Sequence, residues 1–142
     1  MLTLLIPVDG SGYADRAVEY VIRRAADSRG PVKVHLLNVQ SRLVGVNVKI
    51  FINQGSLERY YREEGMAILE ERIARLRAAG LECEPHIGVG NPGEVTVEYA
   101  KDKDCAEIVM GTLGRGGLTG AVMGSVAQKV VSLSPLPVVL VK

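Results

Sequence analysis

The chain of 142 residues has the length of one ordinary domain, and its 47% hydrophobic residues are enough for a substantial core. The formal net charge of +1 lacks the basic excess typical of nucleic-acid-binding proteins, so we expect no nucleic-acid partner. No run approaches the roughly 20 apolar residues of a membrane span, and residues 1–8 are too short for a signal peptide. We therefore expect no membrane partner and a cytoplasmic protein in which Cys83 and Cys105 are reduced, buried thiols.

The first forty residues predict a strand, a helix and a second strand. The almost continuous apolar run at 2–8 is typical of a parallel strand that is covered on both faces. Turn residues at 9–12 lead into a helix that extends to about Ser28. Residues 32–39 predict the second strand, in which His35 is expected to be structural and not catalytic. Metal binding by the two cysteines and the two histidines is not expected.

Residues 40–79 are predicted in part. The stretch 40–54 is rich in β-forming residues but matches no pairing pattern, which leaves open a mobile flap, a short extra strand or a loop that contacts a partner. Residues 56–79 predict a long helix with an apolar stripe on one side. Its charged residues, among them Glu71 and Arg75 as an (i, i+4) pair, are expected to face solvent.

The last third of the chain continues the alternation. Residues 81–89 predict an edge strand, and Asn91 with Pro92 begins a helix that extends to about Lys103. Residues 106–110 predict a fourth strand. A fourth helix begins at Gly124 or Ser125 with Val126, Val130 and Leu133 on its inner face, and residues 138–141 form a last strand. This order predicts one α/β domain over residues 1–142, with a parallel sheet and helices on both faces.

Residues 110–125 contain six glycines between a predicted strand and a predicted helix. Such a stretch is either a flexible surface loop or a place where bare backbone amides approach an anion. Ligands of open α/β sheets bind beyond the carboxyl ends of the strands, where the strand order reverses. If strands one and four are neighbours, Asp9 faces Gly111 and Gly114 across such a point. Asp9 could then contact a ribose hydroxyl or, through water, a divalent metal ion, and its alternative role is that of an ordinary turn residue.

The common phosphate-binding motifs are absent from this stretch. The motif Gly-x4-Gly-Lys-Ser/Thr would need lysine at the position of Gly117. The dinucleotide fingerprint fails as well, because Thr119 stands where its third glycine belongs.

A different pattern fits. Gly111-x2-Gly114-x9-Gly124-Ser125 matches the Gly-x2-Gly-x9-Gly-Ser/Thr signature of the ATP-binding branch of the universal stress protein family. The chain also resembles this family at residues 4–11, 90–92, 114–118 and 135–141. The resemblance implies a Rossmann-like open five-stranded parallel sheet with strand order 3-2-1-4-5. It also implies a bound adenine nucleotide, ATP or AMP, with Mg²⁺ or Mn²⁺ accompanying ATP.

The resemblance further implies which residues bind the nucleotide. Asp9 would contact the ribose, the backbone of Val39 would recognise the adenine edge, and the start of the fourth helix would hold phosphate. Leu113 occupies a position where many members carry His or Arg, which leaves Arg115 as the cation of the loop. The implied nucleotide-binding residues are Pro7, Val8, Asp9, Val39, Met110, Gly111, Leu113, Gly114, Arg115, Gly124, Ser125, Val126 and Ala127.

Three functions are compatible with the sequence. The chain is a nucleotide-binding regulatory module, a phosphoryl-transfer enzyme or slow ATPase, or an interaction protein that works without nucleotide. Efficient phosphoryl transfer concentrates charged groups on the phosphate, and the glycine stretch has no lysine. We therefore favour the regulatory module. The resemblance also implies a homodimer through the last strand, residues 137–142, and the alternative is a short unpaired edge.

Overall fold

The computed structural model describes residues 1–43, 54–114 and 123–142. The predictions for 44–53 and for Arg115 therefore lie outside the described residues. The strands are β1 (Leu2–Pro7), β2 (Val32–Gln40), β3 (Glu82–Val89), β4 (Glu107–Gly111) and β5 (Val138–Val141), and the helices are α1 (Gly12–Ala26), α2 (Gln54–Ala78), α3 (Pro92–Asp102) and α4 (Ser125–Leu133). No helix among the described residues is sufficiently long and apolar to cross a membrane.

The five strands of the described chain form one parallel sheet in the order β3-β2-β1-β4-β5. This order confirms the predicted α/β class and the strand arrangement that the family resemblance implied. The chain begins in the middle of the sheet, at β1, builds outward to β3, and then crosses back to β4. The order therefore reverses between β1 and β4, which places the ends of these two strands at the crevice where open α/β sheets bind ligands.

Alternation along the strands divides the interior into two cores. In β1, Leu4 and Ile6 face the core that α1 and α2 cover, whereas Leu5 faces the core that α3 and α4 cover. Both sides of the central strands are thus buried, which explains why the run at 2–8 contains so few polar residues.

Local capping sets where the helices begin. Ser11 precedes α1, and its hydroxyl accepts a hydrogen bond from the Ala14 amide at 3.4 Å. Asn91 precedes α3, and its side-chain oxygen accepts a hydrogen bond from the Glu94 amide at 3.0 Å. Both caps lie in the short turns that follow a strand, so they set where each helix begins beyond the sheet.

Two expectations about the helices are wrong. Leu133 is 45% exposed and lies outside the core, because α4 ends there and buries Ala127 and Val130 instead. Arg75, expected to pair with Glu71 on the outer face of α2, lies 3.2 Å from Glu19 of α1. Arg72 is buried and places Nε 2.8 Å from the Asp15 carboxylate. One side of α2 therefore carries ion pairs to α1 and not a solvated face.

Candidate functional site

A cleft of about 690 Å³ opens at the carboxyl ends of β1, β2 and β4. Its size lies within the usual range for small-molecule sites, roughly 300–1,000 Å³. The predicted site residues that line it are Pro7, Val8, Asp9, Val39, Met110, Gly111, Leu113, Gly114, Gly124, Ser125, Val126 and Ala127. The structure thus brings together every predicted site residue that it describes, and Arg115 lies outside the described residues. That these residues bind a nucleotide remains a prediction.

The floor of the cleft is held by hydrogen bonds between the ends of β1 and β2. The Val8 amide donates to the Leu37 carbonyl at 2.7 Å. The buried Asn38 side chain donates through Nδ2 to the Val8 carbonyl at 2.8 Å, and its Oδ1 accepts from Gln40 at 2.6 Å. These hydrogen bonds extend the pairing of β1 with β2 beyond the end of β1. They therefore fix the position of Val8, from which the Asp9 turn begins.

Asp9 connects the first turn with the glycine stretch. Its Oδ1 accepts a hydrogen bond from the Ser11 amide at 2.9 Å, which is the turn role that the sequence left open. Its Oδ2 faces Gly114, where an added Cβ would lie only 2.6 Å from that oxygen. One carboxylate therefore organises the turn before α1 and packs against the loop after β4.

The glycines of the motif differ in what they do. Gly111 lies against α1, and an added Cβ would meet the Tyr13 carbonyl oxygen at 2.9 Å. Gly114 is bare where the Asp9 carboxylate approaches. The Gly124 amide donates to the Thr112 carbonyl at 2.6 Å, so it closes the loop and is not directed at a ligand. The expectation that residues 110–125 present bare backbone amides is therefore wrong for Gly124.

The start of α4 supplies the anion-binding chemistry of the cleft. The first intrahelical hydrogen bond runs from the Gln128 amide to the Gly124 carbonyl at 3.0 Å. The amides of Ser125, Val126 and Ala127 precede this bond, so they have no carbonyl one turn back within the helix. A helix N-terminus of this kind carries about half a positive charge and favours an anionic group.

Sequence patterns did not predict the part of the cleft that α2 and α3 supply from the two faces of the sheet. The cleft is also lined by Tyr60 and Ile68 of α2, by Pro92 and Thr96 of α3, and by Asn38 before the predicted Val39. Asn38 gave a usable signal, because it is a polar residue near the end of an apolar strand. Tyr60 and Ile68 gave none, since their position depends on how α2 packs over the sheet.

The lining of the cleft combines apolar surface with few charges. Among the described residues that line it, Asp9 is the one charged side chain, and no lysine or arginine is present. Met110, Val39 and Leu37 supply apolar surface on one side, and the α4 amides lie on another. The arrangement suits a ligand with a flat apolar part, hydroxyl groups near Asp9 and an anionic end at α4.

The fold and this cleft define an open α/β protein of the class that binds ligands at the switch point of a parallel sheet. The family model described as the universal stress protein family matches residues 1–142. The chain belongs to the universal stress protein family.

Individual relatives agree with this assignment. The universal stress protein MJ0531 of Methanocaldococcus jannaschii is 31% identical over 143 residues, which cover 98% of this chain and 81% of that protein. Protein MJ0577 of the same organism has a solved structure with a TM-score of 0.85 and 30% identity, covering 99% of this chain and 95% of that one. A universal stress protein solved in complex with cAMP has a TM-score of 0.67 and 28% identity, covering 99% and 95%.

Proposed function

We propose that this protein binds an adenine nucleotide, ATP or AMP, in the cleft and acts as a regulatory module in stress response. Binding would change the behaviour of the dimer or of a protein partner. The observation that carries the proposal is that the Asp9 turn and the start of α4 line the same cleft. The cAMP complex of a related protein supports the choice of an adenine nucleotide.

The residues present fit such a ligand. The missing side chain at Gly114 lets the Asp9 carboxylate lie against the loop after β4, where a Cβ would clash with it. Asp9 would accept hydrogen bonds from ribose hydroxyls, and the amides of Ser125, Val126 and Ala127 would hold phosphate oxygens at α4. The Ser125 hydroxyl would add one donor. With ATP, a Mg²⁺ or Mn²⁺ ion bound by the phosphates would neutralise part of their charge and contact Asp9 through water.

Two measurements test nucleotide binding. Mass spectrometry of the heat-released small molecules from freshly purified protein should detect ATP or AMP. Calorimetry with added ATP and AMP, in the presence of Mg²⁺ or Mn²⁺, should give a saturable heat. Absence of heat at millimolar nucleotide would contradict the proposal and favour an interaction protein that works without nucleotide.

Turnover separates the regulatory module from the enzyme. The described lining of the cleft lacks the lysine or arginine that stabilises charge in phosphoryl transfer, which supports slow hydrolysis at most. We expect ATP hydrolysis far below about one turnover per second, the low end of typical enzyme rates. A faster rate, if it were lost on substitution of Gly114, would establish the enzyme instead.

We also propose a homodimer in which β5 pairs antiparallel with β5 of a second copy. In the described part of the chain, β5 is the outermost strand on its side of the sheet, and all four of its residues are half-buried. An apolar edge strand with free backbone groups is a ready surface for strand pairing. Sedimentation at micromolar concentration should give twice the mass of one chain, and a monomeric mass would contradict the dimer.

We infer a cytoplasmic location from the cysteines. Cys83 and Cys105 are both free thiols, and they lie in the two different cores of the fold. Burial raises the pKa of the Cys105 thiol to about 11, so it stays protonated and unreactive at neutral pH. Cell fractionation with an antibody against the chain would test the inference, and recovery outside the cytoplasm would contradict it.

A further inference from the structure

A cluster of three side chains lies away from the cleft, on strands β2 and β3. It consists of His35, Glu84 and His86, which we name the histidine cluster. His35 stands directly opposite Glu84 in the pairing of the two strands, and His86 follows Glu84 by two residues on the same face. The cleft begins further along β2, at residues 37–40, so the two sites do not share these side chains.

The three groups have the geometry of an incomplete metal site. Their ligand atoms all lie within 4.8 Å of one another. His35 Nδ1 is 2.8 Å from His86 Nε2 and 3.4 Å from Glu84 Oε2. Two ligands at about 2.0–2.1 Å from a tetrahedral Zn²⁺ ion are roughly 3.3 Å apart, so the imidazoles must separate by about half an ångström. His86 can move this far, because among the described strands β3 has a neighbour on one side only.

The protonation states favour coordination. Burial lowers the pKa of His35 and of His86, so both imidazoles are neutral at pH 7. The hydrogen bond from Lys33 lowers the pKa of Glu84, which is therefore a carboxylate. One histidine nitrogen now carries the hydrogen that joins the two rings. Coordination transfers that hydrogen to the other nitrogen of the same ring, and the ring stays neutral.

The surroundings determine which ion fits and how tightly. Two imidazoles and one carboxylate suit borderline divalent ions such as Zn²⁺ and Co²⁺ better than Mg²⁺ or Ca²⁺. The Glu84 side chain is 48% exposed, which leaves a path for the ion and a place for water as the fourth ligand. Lys33 Nζ lies 3.3 Å from the Glu84 carboxylate, and Lys103 adds a second positive charge near both histidines. These ammonium groups compete with a cation, while Glu82 partly offsets them.

We propose that His35, Glu84 and His86 form a binding site for a Zn²⁺-type divalent ion, in which a water molecule completes a tetrahedral shell. The metal site and the proposed nucleotide site are independent, so either one can be wrong without affecting the other. The ion would join β2 to the edge strand β3. It would therefore fix the edge strand β3 in place beside α3, where the ring of Tyr99 lies 5.5 Å from the ring of His86.

The chain offers a sharp spectroscopic test, because it contains only two histidines. Full-length, nucleotide-free protein is freed of metal with a chelator, kept reduced, and titrated with Co²⁺ or Zn²⁺. We expect Co²⁺ to give the intense visible absorption of a tetrahedral centre, and Zn²⁺ to abolish it by competition. In imidazole ¹⁵N spectra, Zn²⁺ should shift one ring nitrogen of each histidine. Binding that leaves both histidine signals unchanged, or no binding at millimolar Zn²⁺, overturns the site.

Substitutions on the exposed strand provide a matched comparison. Glu84→Gln removes a ligand and should weaken Zn²⁺ binding by about tenfold or more. Glu82→Gln removes the same charge two residues earlier on the same face and should change the Zn²⁺ affinity little. Lys33→Met removes the competing ammonium group and should tighten binding severalfold. Circular dichroism confirms that each variant is folded, and equal weakening by the two glutamine variants would show nonspecific attraction and overturn the site.

Discussion

Gly114 shows how an absent side chain can define a site. The carboxylate of Asp9 approaches so closely that a Cβ at position 114 would lie 2.6 Å from Oδ2. Gly111 excludes a Cβ for another reason, since the backbone of Tyr13 in α1 lies against it. The two glycines belong to one motif, yet Gly114 lets a carboxylate approach the loop and Gly111 lets a helix approach a strand.

The two glycines should therefore respond differently to alanine. In Gly111→Ala the new Cβ meets backbone atoms that cannot turn away, so we expect a loss of about 1–3 kcal/mol in the free energy of unfolding. In Gly114→Ala the neighbour is the end of a side chain, which can rotate, so stability should change little. The displaced carboxylate should weaken nucleotide binding by about tenfold, or roughly 1.4 kcal/mol.

Urea unfolding and calorimetry measure these two quantities on the same preparations. Unchanged nucleotide affinity in Gly114→Ala would show that the ligand does not depend on the position of the Asp9 carboxylate. Unchanged stability in Gly111→Ala would show that α1 can move away from β4 without strain.

Asp9 allows its structural and binding roles to be separated. Asp9→Asn keeps a side-chain oxygen for the Ser11 amide, so its unfolding free energy should stay close to that of the unmodified chain. Asp9→Ala removes this acceptor and should cost about 1 kcal/mol. Both variants lose the negative charge, so the effect of Mg²⁺ or Mn²⁺ on ATP affinity should diminish in each. A metal effect that persists in both variants would exclude Asp9 from the metal shell.

At this scale the sequence predicted the cleft residues at the strand ends and the start of α4, but not those that α2 and α3 contribute. Asp9, Gly114 and Ser125 could be identified because they belong to short motifs at strand ends. Tyr60 could not, because nothing in the sequence around it indicates how a helix packs over a sheet. The histidine cluster was missed for a similar reason: His35 and Glu84 are neighbours only through the register of β2 and β3.

Between elements, ion pairs connect α1 to the sheet and to α2. Arg24 in the last turn of α1 binds Glu107 at the start of β4 through two bonds of 2.8 and 2.7 Å. Arg72 and Arg75 of α2 reach the acidic side chains of Asp15 and Glu19 on α1. The sequence rule for (i, i+4) pairs correctly identifies neighbours within a helix. It did not predict these contacts, because a helix two elements away supplied closer partners.

The Arg24–Glu107 pair should make stability depend on pH. The guanidinium of Arg24 lowers the pKa of Glu107 through hydrogen bonding, and the Glu107 side chain is only 18% exposed. A lowered carboxyl pKa stabilises the fold above the unfolded value, near 4.3, and this stabilisation is lost as the pH falls through the folded value. Glu107→Gln should therefore destabilise the protein by about 1 kcal/mol at pH 7, and the difference should shrink in acid.

Urea unfolding of both proteins between pH 7 and pH 3 measures this difference. Glu98→Gln, at an exposed position on α3, serves as the comparison and should have little effect at any pH. A deficit in Glu107→Gln that stayed constant into acid would show that lost packing, and not the ion pair, is responsible.

For the whole molecule, the order of elements predicted the class of fold, and the family resemblance supplied the strand order. Alternating strands and helices favour a parallel sheet, because parallel neighbours are joined by crossovers, usually a helix, and not by a tight turn. Alternation alone does not state which strands are neighbours. The position of β1 between β2 and β4 creates the cleft, and the pairing of β5 with β4 alone among the described strands places β5 at an edge.

The proposed dimer can be tested at the backbone of β5. The amides of Ile108 and Thr112 donate to the carbonyls of Pro137 and Val141. In a parallel ladder the N–H and C=O groups of alternate residues point to the same side. Those of Val139 and Val141 therefore point toward β4, and those of Val138 and Leu140 point toward the outer edge. Leu140→Pro removes an N–H group that points outward and keeps every N–H group that bonds to β4. It should therefore disfavour pairing with a second copy while the chain still folds.

We expect sedimentation of Leu140→Pro to show an increase of about tenfold or more in the dimer dissociation constant, with a retained circular dichroism spectrum. Val139→Pro is the matched variant, because its amide belongs to the inner ladder and its loss should destabilise the fold itself. If Leu140→Pro sediments as a dimer of unchanged affinity, the two copies do not associate through β5. In that event the short length of β5 alone would prevent its apolar edge from pairing with another chain, since four residues offer few backbone groups for hydrogen bonds.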